Sequence, residues 1–510
     1  MKSWLGFTAM CLGLFMAILD IQIVAAALPR IATALHTPLD ELSWVQTAYL
    51  ITEVIAIAVS GRLARALSTR WLFAGASLCF VLTSFACGLS HEFVTLIVWR
   101  SLQGLCAGTI IPTVFAAGYK MFPKELHARA ILIAGGVAML APSIGPLLGG
   151  YIAEKLAWNW LFFLNIPIGL VITVIVAKVV DVDRPDRAAW RSVDVIAFGA
   201  LSLSLAAMQT LLKLAPEDQW AAVRDYVLLA TMVVSGWVFI RRSIKGPEPL
   251  LDFAPMRSLG FTVACAFNFV LGIALFGSLY ITPLFLGFVR FHTPLEIGVI
   301  MTVMGVAQLV AAPFATIADR RLPAQWVTAI GFALFAAGAL TNAFQTPKTD
   351  FAGLLFPQIL RGAALLFCIL PITNVALDEL PSELLSNASG LLNLMRNIGG
   401  AIGIGMVDTI VNIRPHAIAA HLADQLVSGQ SAVAAFVGVP KTLLAGVNLA
   451  HADPDDIAFV KPIIARAAAT IAFNEAWIAV GVILVLSLVL VPYLRRSPER
   501  LVHEVPSVIP

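Results

Sequence analysis

Apolar runs of about twenty residues recur along nearly the whole chain, separated by short polar or Pro- and Gly-containing segments. A run of that length crosses the roughly 30 Å hydrocarbon core of a bilayer as a helix, which satisfies its own backbone there. The pattern predicts fourteen membrane helices, near 4–29, 42–61, 71–89, 93–116, 130–151, 160–180, 193–213, 226–240, 258–286, 295–317, 324–343, 351–377, 386–412 and 472–493. The stretch 226–240 is short for a span unless it extends back toward Trp220. Segment 413–471 is Ala-rich and mildly amphipathic, with Pro415, Pro440, Pro454 and Pro462 as breaks. A connection that long is rarely featureless. A helical flap over the outer face is expected, with a docking surface for a partner as the alternative.

The 510 residues are 59% hydrophobic and only 12% charged, against about 25% charged in soluble domains. This excludes a soluble enzyme or nucleic-acid-binding domain and fits an all-α polytopic membrane protein. Loops 62–70, 117–129, 178–192, 241–257 and 318–323, with the two termini, hold 20 of the 33 Lys and Arg. That bias places both termini in the cytoplasm. Loop 378–385 is the exception, with Asp378, Glu379 and Glu383 and no basic residue. All six cysteines fall in apolar runs, so neither a structural disulfide nor a metal site is expected. The first run is too long for a signal-peptide core and reads as the first span.

Two halves of the chain echo each other. Gly61–Leu89 and Ala315–Leu340 both hold a short basic loop followed by a helix opening on Trp, at Trp71 and Trp326. Gln103-Gly104 before Pro112 is matched by Arg361-Gly362 before Pro371. Such repeats suggest two bundles about a central site. The expected division is 1–180 for the first six-helix bundle, 181–257 for two linker helices and their loops, and 258–510 for the second bundle with its exterior segment.

Asp20, Glu53 and Arg100 interrupt three of the apolar runs. A charge there costs about 2.5–3.5 kcal/mol by insertion scales. Helix rise puts Asp20 about 13 Å, Arg100 about 10 Å and Glu53 about 16 Å from the outer helix ends. Asp20 and Arg100 are therefore able to meet. Two readings stay open: a static ion pair that fixes packing, or a carboxylate that takes and releases protons as its partner changes. Arg396 lies near the middle of the thirteenth span and Arg361 in the twelfth, while Asp408 and Glu475 read as interfacial charges.

Residues 135–151 read GGVAMLAPSIGPLLGGY. Pro142 and Pro146 remove helix hydrogen bonds, and Gly145, Gly149 and Gly150 let another backbone approach closely. Tight packing and a bend that seals one face are both compatible with this. The sequence has no GxxxxGK[ST] and no HExxH. The expectation is a carrier rather than an enzyme, without a cofactor and without ATP as its energy source.

These residues resemble the major facilitator superfamily, specifically its fourteen-span drug:proton antiporters of the EmrB/QacA type. Leu19-Asp20-Ile21-Gln22-Ile23-Val24 through Ala27-Leu28-Pro29 is similar to the family's first-helix motif, with Gln22 where Thr is usual. Trp44–Leu50 is similar to the start of its second helix. Arg100, Gln103 and Gly104 match the fourth-helix RxxQG motif, whose Arg is linked to proton coupling. Ala141–Gly150 resembles the antiporter motif of the fifth helix, and Trp158-Asn159-Trp160 with Asn165–Gly169 also fits. The cytoplasmic loop motif departs from the family. Gly61 and Arg70 are kept, but Arg65 replaces an Asp and Ser68 a Gly, leaving Asp319 of the repeat copy as a candidate substitute.

The resemblance implies two six-helix bundles with two extra central helices and a cavity open alternately to each side. It implies proton-driven export of lipophilic or amphipathic drugs across the bacterial inner membrane, with Asp20, Arg100 and Glu53 in proton coupling. Gln22, Gln103, Asn165 and Arg396 are candidates for the substrate cavity. A periplasmic adaptor and outer-membrane channel are partners often used by such proteins. The alternatives are a narrow exporter of an endogenous fatty acid, siderophore or aromatic metabolite, proton-coupled uptake, or a membrane scaffold.

Overall fold

Inside a bilayer a backbone group left unpaired costs several kcal/mol, so the apolar runs have one solution, the helix. The structure is a computed structural model that describes residues 2–38, 41–186, 194–215, 220–246, 250–378, 380, 384–428, 430–438 and 454–494. Among these, every regular element is helical. The first half contains α1 (Lys2–Leu35), α2 (Ser43–Leu67), α3 (Thr69–Gly88), α4 (Phe93–Met121), α5 (Lys124–Lys155), the single turn α6 (Trp160–Phe163) and α7 (Asn165–Val179). Two further helices follow, α8 (Val195–Leu214) and α9 (Val223–Lys245). The second half contains α10 (Leu259–Leu284), α11 (Pro294–Arg321), α12 (Ala324–Asn342), α13 (Phe351–Asp378), α14 (Leu385–Val427), α15 (Ser431–Val437) and α16 (Pro454–Ser487).

Among the described residues, thirteen helices have the length and apolarity to cross a membrane. The fourteenth, α2, has 25 residues and carries Gln46, Thr47, Thr52 and Glu53. The short stretch expected at 226–240 does extend back, to Val223, and Trp220 stands just outside at φ 62°. Outward faces are apolar, as lipid demands: Trp71, Leu78, Leu82, Phe85 and Leu89 form one exposed stripe on α3.

The contacts repeat. α1 packs on α5 as α10 does on α14, α2 on α4 as α11 on α13, and α3 on α4 and α7 as α12 on α13 and α16. The repeated glycine explains part of this. A Cβ at Gly104 would lie 2.3 Å from the Tyr49 carbonyl oxygen of α2, and one at Gly362 would lie 2.1 Å from that of Met304 on α11. Both positions therefore require a residue without a side chain.

The two halves meet along α5–α11 and α2–α14. The α5–α11 seam is closest at one end of the molecule. Cβ atoms at Gly150 and Gly298 would lie 2.2 and 2.3 Å from the carbonyl oxygens of Pro294 and Pro146. Ser143 Oγ donates to the Gly305 carbonyl at 2.9 Å, and Leu295 N–H donates to Glu154 Oε2 at 3.1 Å. Toward the other end of α5, no atom lies within 4 Å of a Cβ built on Gly135 or Gly136. α5 runs unbroken through Pro142 and Pro146.

The segment 413–471 is not a loop in its described parts. α14 continues through Pro415 to Val427, and α16 starts at Pro454, so both helices extend past the expected span ends. With α15 they enclose a separate apolar cluster of Leu422, Leu426, Ala434, Val437, Val460 and Ala467. Pro440, Glu379 and Glu383 lie outside the described residues.

Candidate functional site

α1, α3 and α7 each place one polar side chain, and α4 two, in a network inside the first bundle with Asp20 at the centre. Arg100 Nη1 donates to Asp20 Oδ2, and neither side chain has any exposure. Asp20 Oδ1 accepts from Asn165 Nδ2 at 2.8 Å and from Gln103 Nε2 at 3.1 Å. Gln103 also donates to Ser84 Oγ at 2.6 Å and accepts from Arg100 Nη1 at 2.7 Å. The RxxQG spacing has a physical reason here: residues three apart on α4 share a face, so Arg100 and Gln103 reach the same carboxylate.

Arg100 is held on its other side as well. Its guanidinium lies 4.4 Å from the Tyr49 ring centroid, and Nε donates to the Val45 carbonyl at 3.2 Å. Tyr49 in turn donates to the Ala17 carbonyl at 3.2 Å. Arg100 Nη2 has no hydrogen-bond partner among the described residues. A buried pair of this kind is costly to break from one side, because the remaining charge is left uncompensated.

Gln103 and Asn165 are therefore not cavity-lining groups. Both are fully buried and spend their amides on Asp20. Gln22 is turned toward α5, where a Cβ on Gly145 would lie 2.5 Å from its own Cβ, and its Oε1 is buried without a partner among the described residues.

Glu53 does not join Asp20 and Arg100. It faces the other half, near Asn397 and the positive charge of Arg396, with Arg100 also close enough to act on it, and its Oε2 is buried with no hydrogen-bond partner among the described residues. Arg396 Nε also reaches Asn268 Oδ1 at 3.3 Å. Nearest-in-sequence reasoning gave Glu53 no partner because its partners lie more than three hundred residues away. The glycines of α5 divide by face. Gly145 and Gly149 pack on Gln22 and Ile23 of α1, whereas Gly150 packs on α11 across the seam.

One further expectation needs correction. Asp408 is not an interfacial charge. It is 5% exposed and binds Tyr280 at 2.7 Å, Ser43 at 3.1 Å and Lys213 of α8 at 3.2 Å. Glu475 does remain at the surface, paired with Arg414 at 2.7 Å. Asp319 accepts from Asn374 at 2.6 Å. A carboxylate is brought to the 61–70 loop by Asp183, which caps α3 by accepting from Thr69 N–H at 2.8 Å and Thr69 Oγ1 at 2.6 Å. Lys120 adds an ion pair at 2.8 Å, and Arg65 contributes its backbone carbonyl to Asp186 N–H at 3.0 Å. Asp183 follows α7 directly, a position that no local pattern around Arg65 and Arg70 points to. Arg361, placed before Gly362 as Gln103 is before Gly104, is buried against Trp477 at 4.3 Å, and its Nη2 has no partner among the described residues.

The profile of the Major Facilitator Superfamily matches residues 10–404. The colistin resistance protein EmrB of Acinetobacter baumannii is 34% identical over 408 residues, 80% of each chain. The multidrug export protein EmrB of Escherichia coli is 28% identical over 404 residues, 79% of each chain. The fatty acid resistance protein FarB of Neisseria gonorrhoeae is 26% identical over 410 residues, 80% of each chain. Among solved structures, the fold matches a bacterial homologue of the lysosomal transporter Spinster, in an inward-facing and unoccupied conformation. The TM-score is 0.60 at 12% identity, with 98% of this chain and 99% of that one covered. A family profile over most of the chain, a 34% identical relative and a shared fold lead to one conclusion: the chain belongs to the Major Facilitator Superfamily, with the EmrB-type export proteins.

Proposed function

We propose that this protein exports lipophilic or amphipathic drugs across the bacterial inner membrane in exchange for protons, with both termini cytoplasmic. The observation that carries the proposal is Asp20, a carboxylate with no exposure, bound by Arg100, Gln103 and Asn165 inside one bundle. Such a group releases its proton only when the bundle gives it water, so its charge state depends on which face is open. A potential of 100 mV contributes about 2.3 kcal/mol per charge moved, enough for one or two protons to drive useful accumulation. No cofactor and no catalytic step enter this reading. Gly150, Pro142 and Pro146 serve the seam, Gly145 and Gly149 hold α5 against α1, and Glu53 faces the positive charge of Arg396 across the halves. The relatives named for multidrug export and colistin resistance support broad export.

The projecting helices of α14, α15 and α16 would then lie in the periplasm, where they offer a surface to an adaptor leading to an outer-membrane channel. A narrower reading, export of a fatty acid, is favoured by the similarity to the fatty acid resistance protein. Expression in a pump-deficient host distinguishes them. Broad export predicts lower susceptibility to several unrelated dyes and drugs, abolished by a protonophore. Protection against long-chain fatty acids alone would favour the narrow reading. No protection against either class would refute both.

A further inference from the structure

A cavity of 970 Å³ lies outside the bundle centres, between α8, α9, α14 and the turn Ala254–Arg257. Its walls are apolar, with Leu205, Phe239 and Phe253 beside the methionines Met208, Met232 and Met395. Unbranched methionine side chains adapt to a flexible guest. One side opens outward along α9, where Val233, Trp237, Ile240 and Ile244 are 48–66% exposed. In a membrane-spanning helix that face is turned to lipid, so the guest comes from the bilayer.

The polar groups converge at one end. Ser243 is 3% exposed, lines the cavity, and its Oγ has no hydrogen-bond partner among the described residues. Arg257 also lines the cavity and is exposed. Asp252 lines the cavity too and adds one negative charge, against the positive charges of Arg257 here and of Arg241 and Lys245 on α9. Its Oδ1 accepts from Ala254 N–H at 2.9 Å, which shapes the turn. The turn is fixed further by Asn387, which accepts from Asp252 N–H at 3.2 Å, and by Thr262 Oγ1, which donates to the Met256 carbonyl at 2.7 Å. Arg241 lies over Trp237 at 5.0 Å, one turn from the opening, and Lys245 closes the same end of α9. A long apolar slot, a buried free hydroxyl and a basic rim together complement a lipid with a negative headgroup.

We propose that this groove binds an anionic phospholipid, with an acyl chain between α8, α9 and α14 and the phosphate held by Arg257 and the Ser243 hydroxyl. The bound lipid fills the space between the linker helices and the second bundle, and so joins α8 and α9 to α14.

The test is lipid retention by the full-length protein, read by native mass spectrometry after exposure to equal amounts of phosphatidylglycerol and phosphatidylcholine. The wild type is expected to keep phosphatidylglycerol in preference. Arg257→Gln should lower its retention at least fivefold and leave phosphatidylcholine unchanged, while Met208→Trp should lower both by filling the slot. Arg257 is a surface residue, so its variant decides the matter even if the Trp variant fails to fold. Equal retention of the two lipids by the wild type, or undiminished phosphatidylglycerol on Arg257→Gln, would overturn the proposal. So would a transported dye that displaces the lipid from wild type and binds Arg257→Gln equally well, which would make the groove a substrate site.

Discussion

Lys213 of α8 and Asp408 of α14 form an ion pair at 3.2 Å with 7% of each side chain exposed. Tyr280 of α10 and Ser43 of α2 bind the same carboxylate. One aspartate thus ties a linker helix to both halves, at the end where the α5–α11 seam is closest. Removing one member of a buried pair strands the other, at a cost of about 3–5 kcal/mol. Asp408→Asn should therefore lower the melting temperature in detergent, and adding Lys213→Met should restore part of it. Equal melting of the single and double variants would show that the pair is not the source of the loss.

Asp20→Asn preserves the shape of the network and removes its carboxylate charge. It is expected to fold, to bind substrate, and to lose at least tenfold in pH-gradient-driven dye transport in proteoliposomes. Transport against a gradient at the wild-type rate would remove Asp20 from the coupling role.

The seam glycines separate packing from sealing. Gly149→Leu drives a side chain into Ile23 of α1 within one half, where a Cβ already lies 2.4 Å from the Ile23 carbonyl oxygen. It should cost about 1–3 kcal/mol of stability. Gly150→Leu acts across the seam on Pro294 and should instead yield a protein that inserts but leaks substrate or protons downhill. Leak from the Gly149 variant alone would place the seal on α1 rather than α11.

Glu53→Gln removes the negative member of the contact with Arg396 and Asn397. Export of cationic dyes should fall more than that of neutral ones, measured with matched protein levels. Equal losses for both classes would assign Glu53 to general coupling.

At the α3 end, burial raises the Asp183 carboxyl, but hydrogen bonds from Lys120 and Thr69 outweigh it and hold the group below the usual carboxylate range. A lowered carboxylate adds stability that is present above its unfolded value and lost as pH falls through the folded one. Acid should therefore weaken the attachment of 181–186 to the 65–70 loop. Asp183→Asn should show a smaller drop in melting temperature between neutral and acidic pH than the wild type.

The helices were legible because lipid permits few alternatives, and Asp20 with Arg100 because charge in apolar runs is conspicuous. What local spacing concealed was partnership across long separations. Glu53 looked alone because Asn397 is 344 positions away in the chain, and Asp408 looked interfacial because Lys213 belongs to a helix with no repeat counterpart. Helix-end arithmetic failed for 413–471 for a related reason. Hydropathy marks where a helix leaves lipid, and α14 continues as a helix after that point.

α14 has 43 residues, a rod of about 65 Å at 1.5 Å per residue. About two-thirds of it fits within a membrane of about 30 Å hydrocarbon and its interfaces, about 40–45 Å in all. The rest acts as a pointer rigidly fixed to the second half of the carrier. A rocking of about 10° around the bilayer centre would sweep its tip by roughly 7 Å, since the tip stands some 42 Å from that pivot. The transport cycle is thereby written as a mechanical displacement outside the lipid, in a place where another protein can read it without touching the substrate.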